Sequence, residues 1–303
     1  MNLPIHFDKV ADSRGVYTKS ILKCPVCNAP AAFLADHPEA ALYRCNACTH
    51  VFSDPDTIIH GEVYREEYFR DAHRNWFSHP NLTLFRWIVQ TIPNTAKSLV
   101  DVGCGNGGFL KYVRTQIPSM HLVGVDIVPN QEIEGISFHQ VDALEANLGE
   151  KFDVVVSQAV IEHVPDLTKF ISQLARLCND GGQVFVMTLN NDSLLYMTAR
   201  LLKRFGISIA FNRLYSAHHV HHFTSRSLQT ALARGGLRTV NVRHHNAPLD
   251  AIDIPTSVPI IRGVLLAGVA MLFVLGLPFR RCYLQTVVAV PITPNPNTPQ
   301  RKE

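Results

Sequence analysis

The chain has 303 residues, 47% apolar and 17% charged, which is ample for a core and excludes wholesale disorder. Its 28 basic and 25 acidic side chains leave a formal charge of +3, too small an excess to argue for or against an RNA or membrane partner. No apolar run near Met1 resembles a signal peptide, so the protein is expected in the cytoplasm, at most peripheral to the inner face of a membrane.

Residues 1–57 are short, turn-rich and cysteine-bearing. Cys24-Pro-Val-Cys27 and Cys45-Asn-Ala-Cys48 form two C-x2-C knuckles separated by seventeen residues. Each knuckle lets two thiolates reach one ion, and four thiolates close a tetrahedron, so a zinc ribbon with a structural Zn2+ is expected. So short a segment buries little apolar surface, and the metal would supply folding free energy. A redox pair is the competing reading. Cys104, Cys178 and Cys282 are scattered and read as small buried hydrophobes.

Residues 58–95 carry Tyr64, Tyr68, Trp76, Phe77, Phe85 and Trp87 at loose helical spacing and read as a helical connector. From 96 to 293, apolar runs alternate with amphipathic segments, as in a parallel α/β sheet. Strands are predicted at 98–103, 121–127, 136–141, 152–158 and 183–189, with two more around 237–245 and 282–292. Asp166 can cap a helix with apolar Leu167, Phe170, Ile171, Leu174 and Leu177, ending at a glycine cap in Gly181-Gly182. A second helix runs from Thr224 to Gly235-Gly236. Seven strands with helices between them make a doubly wound, Rossmann-like α/β sheet. Residues 294–303 are polar and proline-broken, and disorder is expected there.

Gly103, Gly105, Gly107 and Gly108 follow the first of these strands and precede a helix. Such glycines let backbone N–H groups approach a nucleotide-type ligand. Asp126 ends the next strand, where a carboxylate can accept both hydroxyls of a ribose. Asp101-Val-Gly103-Cys-Gly105, Asp126 and Val141-Asp142-Ala143 together resemble class I S-adenosylmethionine-dependent methyltransferases. The stretch 152–166 and Gly181-Gly182 belong to the same pattern. The resemblance covers about residues 95–293 and implies strand order 3-2-1-4-5-7-6 with the last strand antiparallel. It further implies that Asp101 meets the cofactor's amino group, with Gly103, Cys104 and Gly105 along its methionine moiety. Asp126 and Ile127 would sit at the ribose, Asp142 and Ala143 at the adenine, and Gln158 and Ala159 on the floor. A nicotinamide dehydrogenase is the rival, but the chain has no Tyr-x-x-x-Lys pair. A C-x-x-C knuckle pair, an aromatic connector and a cofactor domain in this order resemble small bacterial methyltransferases, here with Val51-Phe52-Ser53-Asp54-Pro55 leading into the connector.

Methyl transfer to a hydroxyl needs alignment and a base, and histidine suits neutral pH. Glu162-His163 resembles the Glu-His of quinone-type O-methyltransferases, although Ala159 stands where some of those carry an acid. That departure argues against a metal-assisted mechanism. His218-His219-Val220-His221-His222-Phe223 resembles a His-rich segment that faces the substrate in related enzymes. His222 and His219 are the preferred bases, with His163 third. His244 and His245 read as surface residues.

Two apolar insertions interrupt the domain, at 193–211 and 258–278. In the first, Leu194, Leu195, Met197, Leu201, Leu202 and Phe205 oppose Arg200, Lys203 and Arg204, as in a lid over a pocket. The second contains fifteen uncharged residues from Gly263 to Leu277, fewer than the ~20 a spanning helix needs. One crossing would also strand the last β-strand on the far side of a bilayer, so the segment lies in a membrane interface, dips in and returns, or packs on another helix or subunit. The acceptor is then a small, hydrophobic or lipid-linked molecule, with O-methylation favoured. An RNA methyltransferase is the alternative, against which the ribbon offers only Lys23 and Arg44 between residues 22 and 57. A non-catalytic ribbon and cofactor-fold binding protein is the third reading. Oligomeric state is not legible.

Overall fold

Alternating apolar runs from Ser98 onward become seven strands of one mixed sheet, and a second, smaller sheet has five strands among the described residues. The computed structural model describes residues 21–58, 74–129, 132–254, 256 and 258–292. Tyr64, Tyr68, much of the expected connector and the tail 294–303 lie outside the described residues.

The ribbon contributes β1 (Leu22–Lys23), β2 (Pro30–Asp36), β3 (Ala41–Cys45) and β4 (Val51–Ser53). Helices α1 (Arg74–Ser78) and α2 (Leu82–Thr91) lead to the main sheet, and the Asn81 side chain caps α2 by accepting from Leu84 N–H at 3.0 Å. There follow β5 (Ser98–Val102), α3 (Gly108–Gln116), β6 (His121–Asp126), β7 (Ile136–Gln140), β8 (Phe152–Gln158), α4 (Leu167–Leu177) and β9 (Cys178–Leu189). The chain continues through α5 (Leu194–Arg204), α6 (Ile209–Leu214), β10 (His221–His222), α7 (Ser225–Arg234), β11 (Leu237–His245), α8 (Pro259–Gly276) and β12 (Leu284–Pro291).

The main sheet runs β7-β6-β5-β8-β9-β12-β11, with β12 antiparallel to both neighbours. This is the 3-2-1-4-5-7-6 order that the resemblance implied. Strand alternation sends Val100, Val123 and Val184 into a core beneath α4 and α7, and Leu99, Leu122 and Phe185 into a second core on the face with α2, α3, α5 and α6. Asp166 caps α4 as expected, accepting from Lys169 N–H at 2.9 Å. The expected glycine cap is not used there: α4 ends on Cys178 in an extended conformation, and Gly181 (φ +82°) lies four residues beyond Leu177.

The fifth strand of the small sheet comes from far along the chain. His221 and His222 of β10 pair antiparallel with Phe52 and Val51 of β4. The ribbon sheet is therefore completed by a segment that follows β9 and α6 in the chain.

Candidate active site

The C-terminal ends of β5, β6 and β8 open on a cavity of 630 Å3. Asp101, Gly103, Cys104, Gly105, Asp126, Ile127, Asp142, Ala143, Gln158 and Ala159 all line it. Gly103 has φ +78°, and a Cβ there would meet Val160 Cγ2 at 2.2 Å, so both conformation and space demand glycine. Ala159 is held at φ +55°, a conformation few non-glycine residues adopt, directly at the cavity floor.

Backbone amides orient the acids. Gly105 N–H donates to Asp126 Oδ2 at 2.8 Å and Val128 N–H to Oδ1 at 3.1 Å. Burial nonetheless pushes the Asp126 carboxyl up. Leu144 N–H donates to Asp142 Oδ1 at 2.8 Å. Asp101 differs: it is 2% exposed, and its Oδ1 has no hydrogen-bond partner among the described residues. Burial first, then the charge of Asp126, pushes its carboxyl up to about 8. An orphaned, desolvated carboxylate beside a glycine-rich loop fits the cationic end of S-adenosylmethionine, whose amino group would satisfy both its charge and its lone pairs.

Across the cavity, Glu162, His163 and His219 bring one ligand atom each to within 4.8 Å of one another, a spacing that can hold a proton or a cation. Glu162 is buried, accepts from Thr188 Oγ1 at 2.8 Å, and is pushed up to about 7 by burial. His163 Nδ1 donates to the His218 carbonyl at 2.6 Å. That bond fixes the tautomer of the neutral ring, leaving Nε2 as its basic nitrogen. The rings of His163 and His219 lie 4.8 Å apart.

His222, the first-preferred base, is not part of the cavity wall. It is 1% exposed, packs its ring 4.6 Å from Tyr215, and burial holds it down at about 3, neutral at any physiological pH. The reason is β10: strand pairing to the ribbon turns residues 221 and 222 inward, while His219, just ahead of the strand, faces the cavity. His221 Nε2 donates to the Val164 carbonyl at 3.1 Å and its Nδ1 accepts from His50 Nε2 at 3.2 Å. Two backbone bonds, Ser53 N–H to the Val220 carbonyl and His221 N–H to the Glu162 carbonyl, both 3.0 Å, join ribbon, β10 and the Glu162 loop. His245, expected on the surface, is 8% exposed and shares a 2.8 Å hydrogen bond with Thr286 Oγ1.

The cavity also takes residues that the sequence reading did not single out for it. Asn81 and Arg213 reach it, as do Asp253 and Tyr283. No spacing motif marks them, since each arrives from a different element. Trp76 and Phe85, from the aromatic connector, and Leu195, from the first apolar insertion, line it as well. In α5 the apolar and basic side chains are not cleanly divided between an inner and an outer face: Leu195 lines the cavity, and Arg204 is exposed. Arg200 turns inward, donating to Asn191 Oδ1 at 3.1 Å and to the Tyr215 hydroxyl at 2.9 Å, while Leu201 and Phe205 are exposed.

At the ribbon, the Sγ atoms of Cys24, Cys27, Cys45 and Cys48 all lie within 4.8 Å of one another. Cys24 and Cys48 are 3.5 Å apart, as are Cys27 and Cys45. A tetrahedral zinc with bonds of about 2.3 Å places its sulfurs about 3.8 Å apart, so the donor set fits that ion.

Residues 64–242 match the family described as a methyltransferase domain. The ubiquinone biosynthesis O-methyltransferase of Brucella anthropi is 33% identical over 162 residues, covering 47% of this chain and 60% of that protein. Its counterpart from Pseudomonas entomophila is 29% identical over 162 residues, covering 47% of this chain and 68% of its own length. Among solved structures, a chain from the complex of the Haloferax volcanii Trm112 methyltransferase activator with a methyltransferase superposes with a TM-score of 0.54 at 17% identity. That match covers 76% of this chain and 98% of the other, and it is a likeness of fold.

Proposed function

The chain belongs to the methyltransferase-domain family and is an S-adenosylmethionine-dependent methyltransferase, and from that premise we propose that it methylates a hydroxyl on a small, hydrophobic acceptor of quinone-like or lipid-linked type. The observation that carries this reading is the Glu162–His163–His219 cluster facing the same cavity as Asp101 and the glycine-rich loop. The relatives' printed activity, O-methylation in ubiquinone biosynthesis, supports it.

The donor supplies a methyl group on a positively charged sulfur. Asp101 would hold its amino group, Asp126 its ribose, and Asp142 with Ala143 would flank its adenine. The acceptor hydroxyl lies between the donor and His163. His163 Nε2 would take the hydroxyl proton as the oxygen receives the methyl group from the sulfur. His219 completes the wall behind that proton, and Glu162 steadies the imidazolium that forms. Alignment supplies much of the rate, because both reactants are held for an in-line approach. The four thiolates of Cys24, Cys27, Cys45 and Cys48 would hold a structural Zn2+, which would keep β4, and with it β10, in place.

The test incubates purified protein with methyl-labelled S-adenosylmethionine and a lysate, followed by organic extraction. Label in the organic phase as an alkali-stable ether, lost in His163→Gln, is the expected result. Label in RNA or confined to water-soluble products would overturn the acceptor class.

A further inference from the structure

Helix α8 presents a physical contradiction. It is uncharged apart from Arg262, apolar around its whole circumference, and has a mean hydropathy of 2.1, yet only 11% of it is buried. An all-apolar helix of a folded domain is ordinarily enclosed by protein or lipid. Here Ile260, Val264 and Val274 are 80, 67 and 64% exposed, and Phe279 in the following turn is 72% exposed. Beside it, the outer face of α5 and the α5–α6 turn adds Phe205 at 76% and Ile209 at 65%. The patch is continuous with the cavity. Phe273, one of the few buried residues of α8, stacks on the cavity residue Tyr283 at 5.9 Å, and the segment leading into α8 supplies Ala251, Ile252 and Asp253 to the wall.

Charge identifies the occupant. The charged side chains of α8 and of the turn after it are all arginines, Arg262, Arg280 and Arg281. Arg262 and Arg280 are exposed at the two ends of α8, with Arg204 exposed on α5. A second copy would bring this positive surface against its own like, whereas an anionic bilayer offers hydrocarbon for the apolar side chains and head groups for the arginines. Topology sets the depth. At about 1.5 Å per residue α8 is roughly 27 Å long, but β11 before it and β12 after it are neighbours in one sheet. The helix therefore enters and leaves on the same side.

We propose that α8, with the outer face of α5 and the α5–α6 turn, is a monotopic docking surface that lies in the interface of an anionic bilayer and sets the cavity beside the lipid. The docking goes beyond the acceptor reading and stands whether or not that reading holds.

The test is flotation of the full chain with vesicles of phosphatidylcholine alone or with a third phosphatidylglycerol. Co-flotation with the anionic vesicles, weakened by salt, is expected. Val264→Glu and Phe279→Glu are expected each to reduce binding ~10-fold or more, and Arg262→Gln and Arg280→Gln roughly five-fold each. Retained thermal midpoints and S-adenosylmethionine binding show that these variants are folded. Failure to float with anionic vesicles overturns the proposal. So does a stable dimer in gel filtration that Val264→Glu dissociates, because α8 is then covered by its own kind. Vesicle binding is read without methyl transfer, so binding with no lipid-phase product leaves the docking intact and removes the acceptor class.

Discussion

Asp101→Asn is expected to stabilise the ligand-free protein in alkali and to weaken its hold on S-adenosylmethionine. Burial, with the charge of Asp126 second, moves the Asp101 carboxyl from 3.8 to about 8. The unfolded chain releases this proton above pH ~4, while the folded chain keeps it until about 8. Within that window the folded state binds more protons, so stability falls as pH rises, then levels off above the folded value. At about 1.4 kcal/mol per unit the whole shift corresponds to roughly 6 kcal/mol, an upper figure that relaxation of the site reduces. Asparagine keeps the shape and cannot ionise. Urea unfolding at pH 5 and pH 9 should therefore show the variant gaining at least ~2 kcal/mol relative to wild type between the two. Calorimetry should show S-adenosylmethionine binding weakened about 10- to 100-fold, the loss of one charge-assisted hydrogen bond. Equal effects at both pH values would refute desolvation as the source of the shift, and undiminished binding would refute Asp101 as the cation's partner.

Three further perturbations test the rest of the site. His163→Gln should lower kcat by about 10^2 to 10^4 while leaving the S-adenosylmethionine Kd unchanged, with stopped-assay rates and calorimetry as the two readouts. Gly103→Ala requires a Cβ 2.2 Å from Val160 Cγ2 at φ +78°. It should cost about 2–4 kcal/mol in urea unfolding, and Val160→Ala in the same chain should recover part of that. Cys45→Ser should lose the metal by elemental analysis, lower the thermal midpoint and reduce methyl transfer, because β4 then no longer fixes β10. Metal retention by that variant would remove zinc from the ribbon's account.

Legibility divided along a physical line. The four cysteines, the three aspartates and the glycine loop were readable because each function needs a residue type at a fixed local spacing. Seven strands and their order followed from short apolar runs and from the resemblance. The roles of the histidines were not readable. Which of His219, His221 and His222 faces the cavity depends on pairing between β10 and β4, about 170 residues apart in the chain. The inward turn of Arg200 on α5 was not readable for a similar reason. Arg200 is drawn inward by Asn191 and Tyr215, a polar network that periodicity does not encode. Burial of His245 likewise depends on Thr286, from the last strand.

The joint between β4 and β10 also orders events during synthesis. The cysteines emerge early from the ribosome and can gather a metal within the first fifty residues, but their sheet still has an open edge. That edge waits until residue 222 has been made and β10 can be laid against it. By then β5, β6, β8 and β9 are already available to pair, so the last strand of the ribbon arrives fastened to the loop that holds Glu162. The ribbon is thus made before the main sheet and is among the last parts to be finished. A nascent chain halted before β10 would hold its metal and expose Val51 and Phe52, a short apolar edge for a chaperone to cover.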